Sequence, residues 1–596
     1  MPKLMKLAVA FFLAGTAARV LYGQEPASPQ PATTAPASQP QKSEPEPKTE
    51  VSVQDTGNTF KLRVNLVQVH VTVRDKAGKP VEGLRKDDFQ LFDNGKLQPI
   101  STFAVETEQS RKERTEAAQK SQEGEAENAA GSSVTLPERF AALTFDDVHL
   151  KIEDTGPLRI AAGKFLDAMA PADRVAIFST SGQLTLDFTG DKEALKQKLM
   201  GLLPRGQLNT PTNECPDISF YVADLLEKEG MPIDPDHSGP PDFEIFVRDT
   251  LQCIPGIDIK TARIDVMNAV RRALDVGEAE NRDALRQLDS VLRILSAKPG
   301  ERILLLASPG FPLAQLNFEA SGVVDHANRS NIVINTLDAR GLYASVPGGD
   351  ISQSFSDSAS TVGPKESLRL AEQLDQQFVL MDFAYGSGGT FFNSNDLEAG
   401  LKQAGSVPEI SYVLGFSPLN QKMDGKYHTL KVALAEKQKY SIQARRGYFA
   451  PNKLDDPKEI AKQEIQEAVF SQNEIVDLPL TLQTQYFKIE DAATRLSVVS
   501  HLDVQRMQFR KADGRNFNDL TVATVIFDDN GRFVMGGEKL VKMRLLDSSI
   551  GRYGHTGFVV KSTFDLKPGK YMVRQVARDS EGAQMAARSA IVVIPN

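Results

Sequence analysis

Apolar positions first become regular after Lys61, where Leu62, Val64, Leu66, Val67, Val69, Val71 and Val73 largely alternate with polar residues, the period of a half-buried strand. Asp75-Lys76-Ala77-Gly78 turns that strand, and Phe89, Leu91 and Phe92 begin further extended pieces before Asn94-Gly95, a strong tight-turn pair. Residues 59–105 therefore read as a small β domain. From Phe140 the order changes. Apolar runs at 140–145, 175–178, 184–188, 303–307, 332–337 and 410–416 alternate with helical spacing at 158–169, 195–203 and 368–378. Strands alternating with helices imply crossovers and a mostly parallel sheet covered on both faces, so residues 137–450 read as one α/β domain. An insertion at about 204–300 interrupts it. Its Pro/Asp-rich part, 231–244, reads as a surface loop, and Leu285, Leu288, Leu292 and Leu295 form one helical stripe that fits packing onto the parent domain. After a helical linker at 451–472, seven apolar segments separated by turns such as Asp529-Asn530-Gly531 read as an antiparallel, Ig-like sandwich over 473–596. The expected fold class is a multidomain α/β chain: a Rossmann-like domain with a mostly parallel central sheet, flanked by an N-terminal small β domain and a C-terminal β-sandwich.

The first residues change the setting. Lys3 and Lys6 precede an apolar run at 7–18, and Leu21-Tyr22-Gly23 places a small residue before Gln24, the order of a secretory signal peptide cut near Gly23. An uncleaved anchor is the other reading, although the run is short for a membrane span. The expectation is a chain exported to the periplasm, outer envelope or exterior, with no transmembrane span once cleaved. Residues 24–58 are a Pro/Ala-rich linker and 106–136 a charged one, neither able to bury a core. With 41% hydrophobic and 25% charged residues the 596-residue chain has material for several cores. A net charge of −9 offers no field for phosphate backbones, so nucleic acid is not an expected partner. Two cysteines exclude an iron–sulfur centre or a four-cysteine zinc site, and outside the cytosol Cys215 and Cys253 can pair; two buried thiols are the alternative. The absence of Trp weakens sugar stacking but leaves Tyr and Phe available for it.

Candidate chemistry concentrates at Phe145-Asp146-Asp147-Val148-His149, the end of the first strand of the α/β region. Ligands of open α/β sheets bind beyond the carboxyl ends of the strands, and two Asp with a nearby His offer oxygen and imidazole ligands to a divalent cation. The strand, the acidic turn, the helical segment 158–169 and the strands RVAIFS and LTLDF resemble a von Willebrand factor type A domain. FDDVHL, VNLVQVHVTVRDKAGKPVEGLRKDDFQLFDNGK, GGTFFNSNDL and SYVLGFSP resemble its acidobacterial subgroup, over roughly residues 60–450. The resemblance implies Mg2+ or Mn2+ at a metal-dependent site, with Asp146 or Asp147 as the first ligand and Thr210 or Thr212 as the second-loop Thr. His149 stands beside them as a further ligand. The two serines of the family turn are replaced, by Val148 and Leu150 or by His149 and Lys151, and the last Asp is replaced where the strand runs into Ser308-Pro309-Gly310. The site implied is therefore degenerate.

Other motifs are weaker. Gly386-Ser387-Gly388-Gly389-Thr390 lacks the Lys-Ser/Thr ending of a phosphate loop and reads as a tight turn. The seven His are scattered, so no dense ligand cluster forms for a two-metal hydrolase. The functional expectation is a non-enzymatic protein that recognises another protein or a surface polymer through the crevice above Asp146; no oligomeric state is assigned. The alternatives are a metal-assisted hydrolase using Asp146, Asp147 and His149, and an envelope scaffold that binds through its β domains.

Overall fold

The computed structural model describes residues 50–55, 67–77, 79–100, 102–107, 137, 139–206, 215–341, 361–405, 410–416, 427–435, 440–449, 457–470, 474–490, 493–503, 507–582 and 584–595. The signal segment with Gly23, most of both linkers, and Thr210 and Thr212 lie outside the described residues. Residues 50–596 form one compact unit.

One six-stranded sheet carries the candidate site. Its strands run, edge to edge, Phe391–Phe392, Val333–Asp338, Glu301–Ser308, Arg139–Phe145, Asp173–Ser179 and Leu186–Thr189. Strict alternation sends neighbouring side chains to opposite faces. Ala141, Leu143, Phe145, Val175, Ile177, Leu305 and Ala307 pack against the helices Ile152–Asp167, Lys192–Leu199 and Leu397–Ala404. Phe140, Ala142, Ala176, Phe178, Leu304 and Leu306 pack on the other side. There they meet the C-terminal half of the long helix Ile259–Ser296, the helix Asn317–Arg329 and the end of the helix Val362–Ser387. Leu285, Leu288, Leu292 and Leu295 make the long helix's contact with this sheet. The N-terminal half of that helix builds a separate core with the helices Phe220–Glu229 and Pro241–Cys253. Cys215 and Cys253 are joined by a disulfide that ties the entry of this insertion to the end of Pro241–Cys253.

The expected fold class is corrected by the rest of the chain. Parallel pairing is confined to four strand pairs of that one sheet, whose outer strand Leu186–Thr189 is itself antiparallel. Every other described pairing is antiparallel, so the chain is a mostly antiparallel, multi-sheet protein with helices packed among the sheets, not an α/β protein organised by a parallel Rossmann-like sheet. The strand Ile410–Phe416, which alternation assigned to the α/β domain, pairs antiparallel with both Val67–Arg74 and Thr102–Thr107. Tyr427–Leu434 pairs with Phe89–Asp93 in the same way. The N-terminal β segment is thus not a flanking domain that closes by itself: Val69, Val71 and Leu91 share one core with Tyr412, Leu414, Phe416 and Tyr448, from the C-terminal end of the span read as the α/β domain. An apolar run shows that a strand exists but not which distant strand completes its hydrogen bonds.

In the C-terminal part a seven-stranded sheet and a three-stranded sheet (Leu480–Glu490, Ala493–Leu502, Phe558–Leu566) pack face to face. Leu496 and Val498 meet Ile526, Val573 and Val592 between them. The edge of the larger sheet is Val51–Asp55, a segment within the span read as linker. The helix Pro457–Phe470 covers its other face through Ile465, Ala468, Val469 and Phe470. Buried Arg574 donates from Nε and Nη2 to the Ala468 carbonyl, meeting the electron-rich end of that helix. Among the described residues, no helix is long and apolar enough to cross a membrane.

Candidate functional site

The register of the six-stranded sheet assembles the site. Phe145 lies opposite Ala307 on one neighbour and Ser179 on the other, so the next residues, Asp146, Ser308 and Thr180, stand side by side at the carboxyl ends of three strands. The Asp146 amide continues the ladder to the Ala307 carbonyl at 2.9 Å, and the amides of His149 and Leu150 turn back onto the Asp146 carbonyl. That turn folds the His149 ring over the Asp146 carboxylate.

Both Asp146 oxygens are engaged. Thr180 Oγ1 donates to Oδ1 at 2.7 Å, Ser308 Oγ donates to Oδ2 at 2.6 Å, and His149 Nδ1 lies 2.9 Å from each. On its far side His149 Nε2 is 2.7 Å from Asn281 Oδ1 of the long helix, and Asn281 Nδ2 donates to the Pro312 carbonyl at 2.6 Å. The ring stacks on Phe311 at 4.7 Å between centroids. Asp146 is fully buried. Burial alone pushes its pKa up; the charge and hydrogen bond of His149, with Ser308 and Thr180, outweigh that and hold the carboxyl below its ordinary value. For His149 burial pushes down, and the charge and hydrogen bond of Asp146 and the Asn281 bond outweigh it, raising the imidazole.

Asp147 has a different task. Its Oδ1 accepts from the Ser181 amide at 2.9 Å and its Oδ2 from Ser181 Oγ at 2.6 Å, fastening the turn after the next strand. Its own carbonyl accepts from the Arg205 amide. Neither aspartate caps the following helix, whose first turn is closed by Asp154 accepting from the Lys151 amide.

The crevice expected above these carboxylates is roofed. Asn281 reaches over from the long helix, and Val362–Ser387 crosses close enough to Gly310 that a Cβ there would sit 2.2 Å from the Gln376 carbonyl. Farther along the sheet end, buried Asp338 is bracketed by Arg340 and Gln377, and Arg340 Nη1 donates to Gln376 Oε1 at 2.6 Å. Glu372, one turn back on the same helix, accepts from Ser219 Oγ at 3.0 Å. Burial pushes its carboxyl up to about 7, the Ser219 bond opposing that and nearby Asp217 adding to it.

The structure brings Asp146 and His149 together, turns Asp147 toward Ser181, and leaves Thr210 and Thr212 undescribed. Asp146 and His149 do not fit Mg2+ or Mn2+ as placed: the carboxylate that would lead the coordination already accepts from Thr180 and Ser308 and has His149 Nδ1 within 2.9 Å of both oxygens. No group of three or more His, Cys, Asp or Glu residues is arranged for a metal among the described residues. Sequence reasoning missed Thr180, Asn281 and Phe311, and met Ser308 only as the residue at the position of the family's last Asp. Ser308 and Thr180 were readable as the first polar residues after neighbouring apolar runs; nothing in the sequence marks Asn281.

No family model matches the chain, and no curated protein matches it. Among solved structures, likenesses are to β-glucuronidase 2 of Bacteroides uniformis, in covalent complex with cyclophellitol-6-carboxylate aziridine, at 11% identity and TM-score 0.13, covering 19% of this chain and 13% of that one. Another is to a glycosyl hydrolase family 2 member from Bacteroides cellulosilyticus at 10% identity and TM-score 0.15, covering 33% and 21%. Such scores establish no shared fold, and the chain spans only a small part of these neighbours. The resemblance to von Willebrand factor type A domains is corrected: no family model and no curated protein matches the chain, and the solved structures named above are a β-glucuronidase and a glycosyl hydrolase family 2 member.

Proposed function

We propose that this is an exported, non-catalytic recognition or scaffold protein that meets a protein or surface polymer through its β sheets. The observation that carries this reading is the outer end of the three-stranded sheet. Leu480–Glu490 is an edge strand of that sheet, and Tyr486, Phe487 and Ile489 at its end are 44%, 55% and 44% exposed. Successive side chains of a strand point to opposite faces, so Tyr486 and Phe487 clasp the edge from both sides. Exposed aromatics in one place suit a binding surface, where they carry large contact area at little entropic cost. The sealing of Asp146 and Asp147 favours this surface over the sheet-end crevice, and a closed ion pair leaves no free base or nucleophile for the hydrolase alternative.

The test is co-sedimentation of the full chain with isolated cell-envelope fragments. The double variant Y486S/F487S is expected to bind at least tenfold more weakly, with an unchanged melting temperature. Undiminished binding by that variant, together with loss of binding in Ser308→Ala, would return the contact to the sheet end.

A further inference from the structure

We propose that His149 is a built-in cation beside Asp146, bracing the sheet end without metal, and that the space its ring fills is a ready receptor for a flat cation with two opposed N–H donors. The inference stands on hydrogen-bond polarity. Ser308 Oγ accepts from the Gly310 amide at 2.8 Å, which commits its hydrogen to Asp146. Asn281 donates through Nδ2 to the Pro312 carbonyl, so the oxygen it turns to His149 can only accept. A ring set between a carboxylate on one side and an amide oxygen on the other needs a hydrogen on both nitrogens, and so carries a positive charge. Phe311, stacked on the ring at 4.7 Å, supplies a flat wall. The brace joins three strand ends to the long helix: Asp146, Thr180 and Ser308 at one pole, Asn281 and the Pro312 carbonyl at the other.

The experiment uses the full chain and reads melting temperature. Wild type is expected to be unmoved by millimolar Mg2+, Mn2+ or a chelator. H149G, which leaves the buried Asp146 with neutral hydroxyl donors but no opposing charge, is expected to melt roughly 5 to 10 °C lower, as loss of one partner of a buried pair costs. Millimolar imidazole should restore most of that loss in H149G and do nothing to wild type. 1-Methylimidazole, which keeps only one N–H when protonated, should restore far less. Should H149G fail to fold, N281L keeps the proposal testable: it removes the second acceptor while leaving the Asp146 contact, and is expected to melt lower than wild type and to ignore imidazole. A metal-induced rise in wild type, equal rescue by both imidazoles, no rescue by either, or an N281L variant as stable as wild type would each overturn the proposal.

Discussion

Glu372 offers the most quantitative consequence of the structure. Its carboxyl sits at about 7 against an ordinary 4.5, because burial beneath the junction of Val362–Ser387 with the insertion disfavours its charge. Between those two values the folded chain binds more protons than the unfolded chain, so the contribution of Glu372 to stability is fully present below pH 4.5 and is lost as pH rises through about 7. At 1.36 kcal/mol per pKa unit the loss amounts to about 3 kcal/mol, an upper figure because the side chain keeps part of its surface exposed. Glu372→Gln removes the charge and keeps an oxygen for Ser219 Oγ. The variant should match wild type near pH 4.5 and exceed it above pH 7.5 by up to that amount, or about 5 °C in melting temperature. Thermal denaturation of both proteins from pH 4.5 to 8.5 reads it directly. A difference that does not change with pH, or a variant less stable than wild type at pH 8, would refute the reasoning.

Two further outcomes follow from local geometry. Replacing Cys215 and Cys253 with Ser removes a cross-link spanning 38 residues, worth about 4 kcal/mol in the chain-entropy account, and limited proteolysis should then cut first within the insertion. Gly389→Ala would place a Cβ 2.0 Å from the Ile334 carbonyl oxygen, backbone that cannot retreat from its sheet, so the variant should lose ~2 kcal/mol or more, measured by denaturant unfolding.

Local features were legible where one stretch of chain decides them. Asn94-Gly95 takes positive φ at both residues, 46° and 77°, and joins Phe89–Asp93 to Lys96–Gln98 as its composition demands. The apolar runs ending at Phe145 and Ala307 are central strands, and the stripe through Leu285 and Leu292 lies on the sheet. Long-range closure was not legible. Alternation cannot say that Ile410–Phe416 pairs with Val67–Arg74 more than 300 residues earlier. The same limit misled the reading of the site: two adjacent aspartates at a strand end look like ligands until Thr180 and Ser308 occupy the oxygens of Asp146, Ser181 those of Asp147, and Asn281 the imidazole beside them. Residue type showed that charge would gather at this end of the sheet; whether it faces solvent or is neutralised from within depends on partners that spacing does not reveal.

The central claim, that Asp146 is neutralised internally by His149, is tested most directly by long-range ¹H–¹⁵N spectra of the histidine-labelled wild-type chain, with His149 assigned by its absence from a His149→Gln spectrum. With the Asp146 carboxylate facing one ring nitrogen of His149 and the Asn281 amide oxygen facing the other, both nitrogens are expected to carry protons at pH 7 and to exchange slowly with solvent. A neutral, rapidly exchanging His149 ring at pH 7 would contradict it.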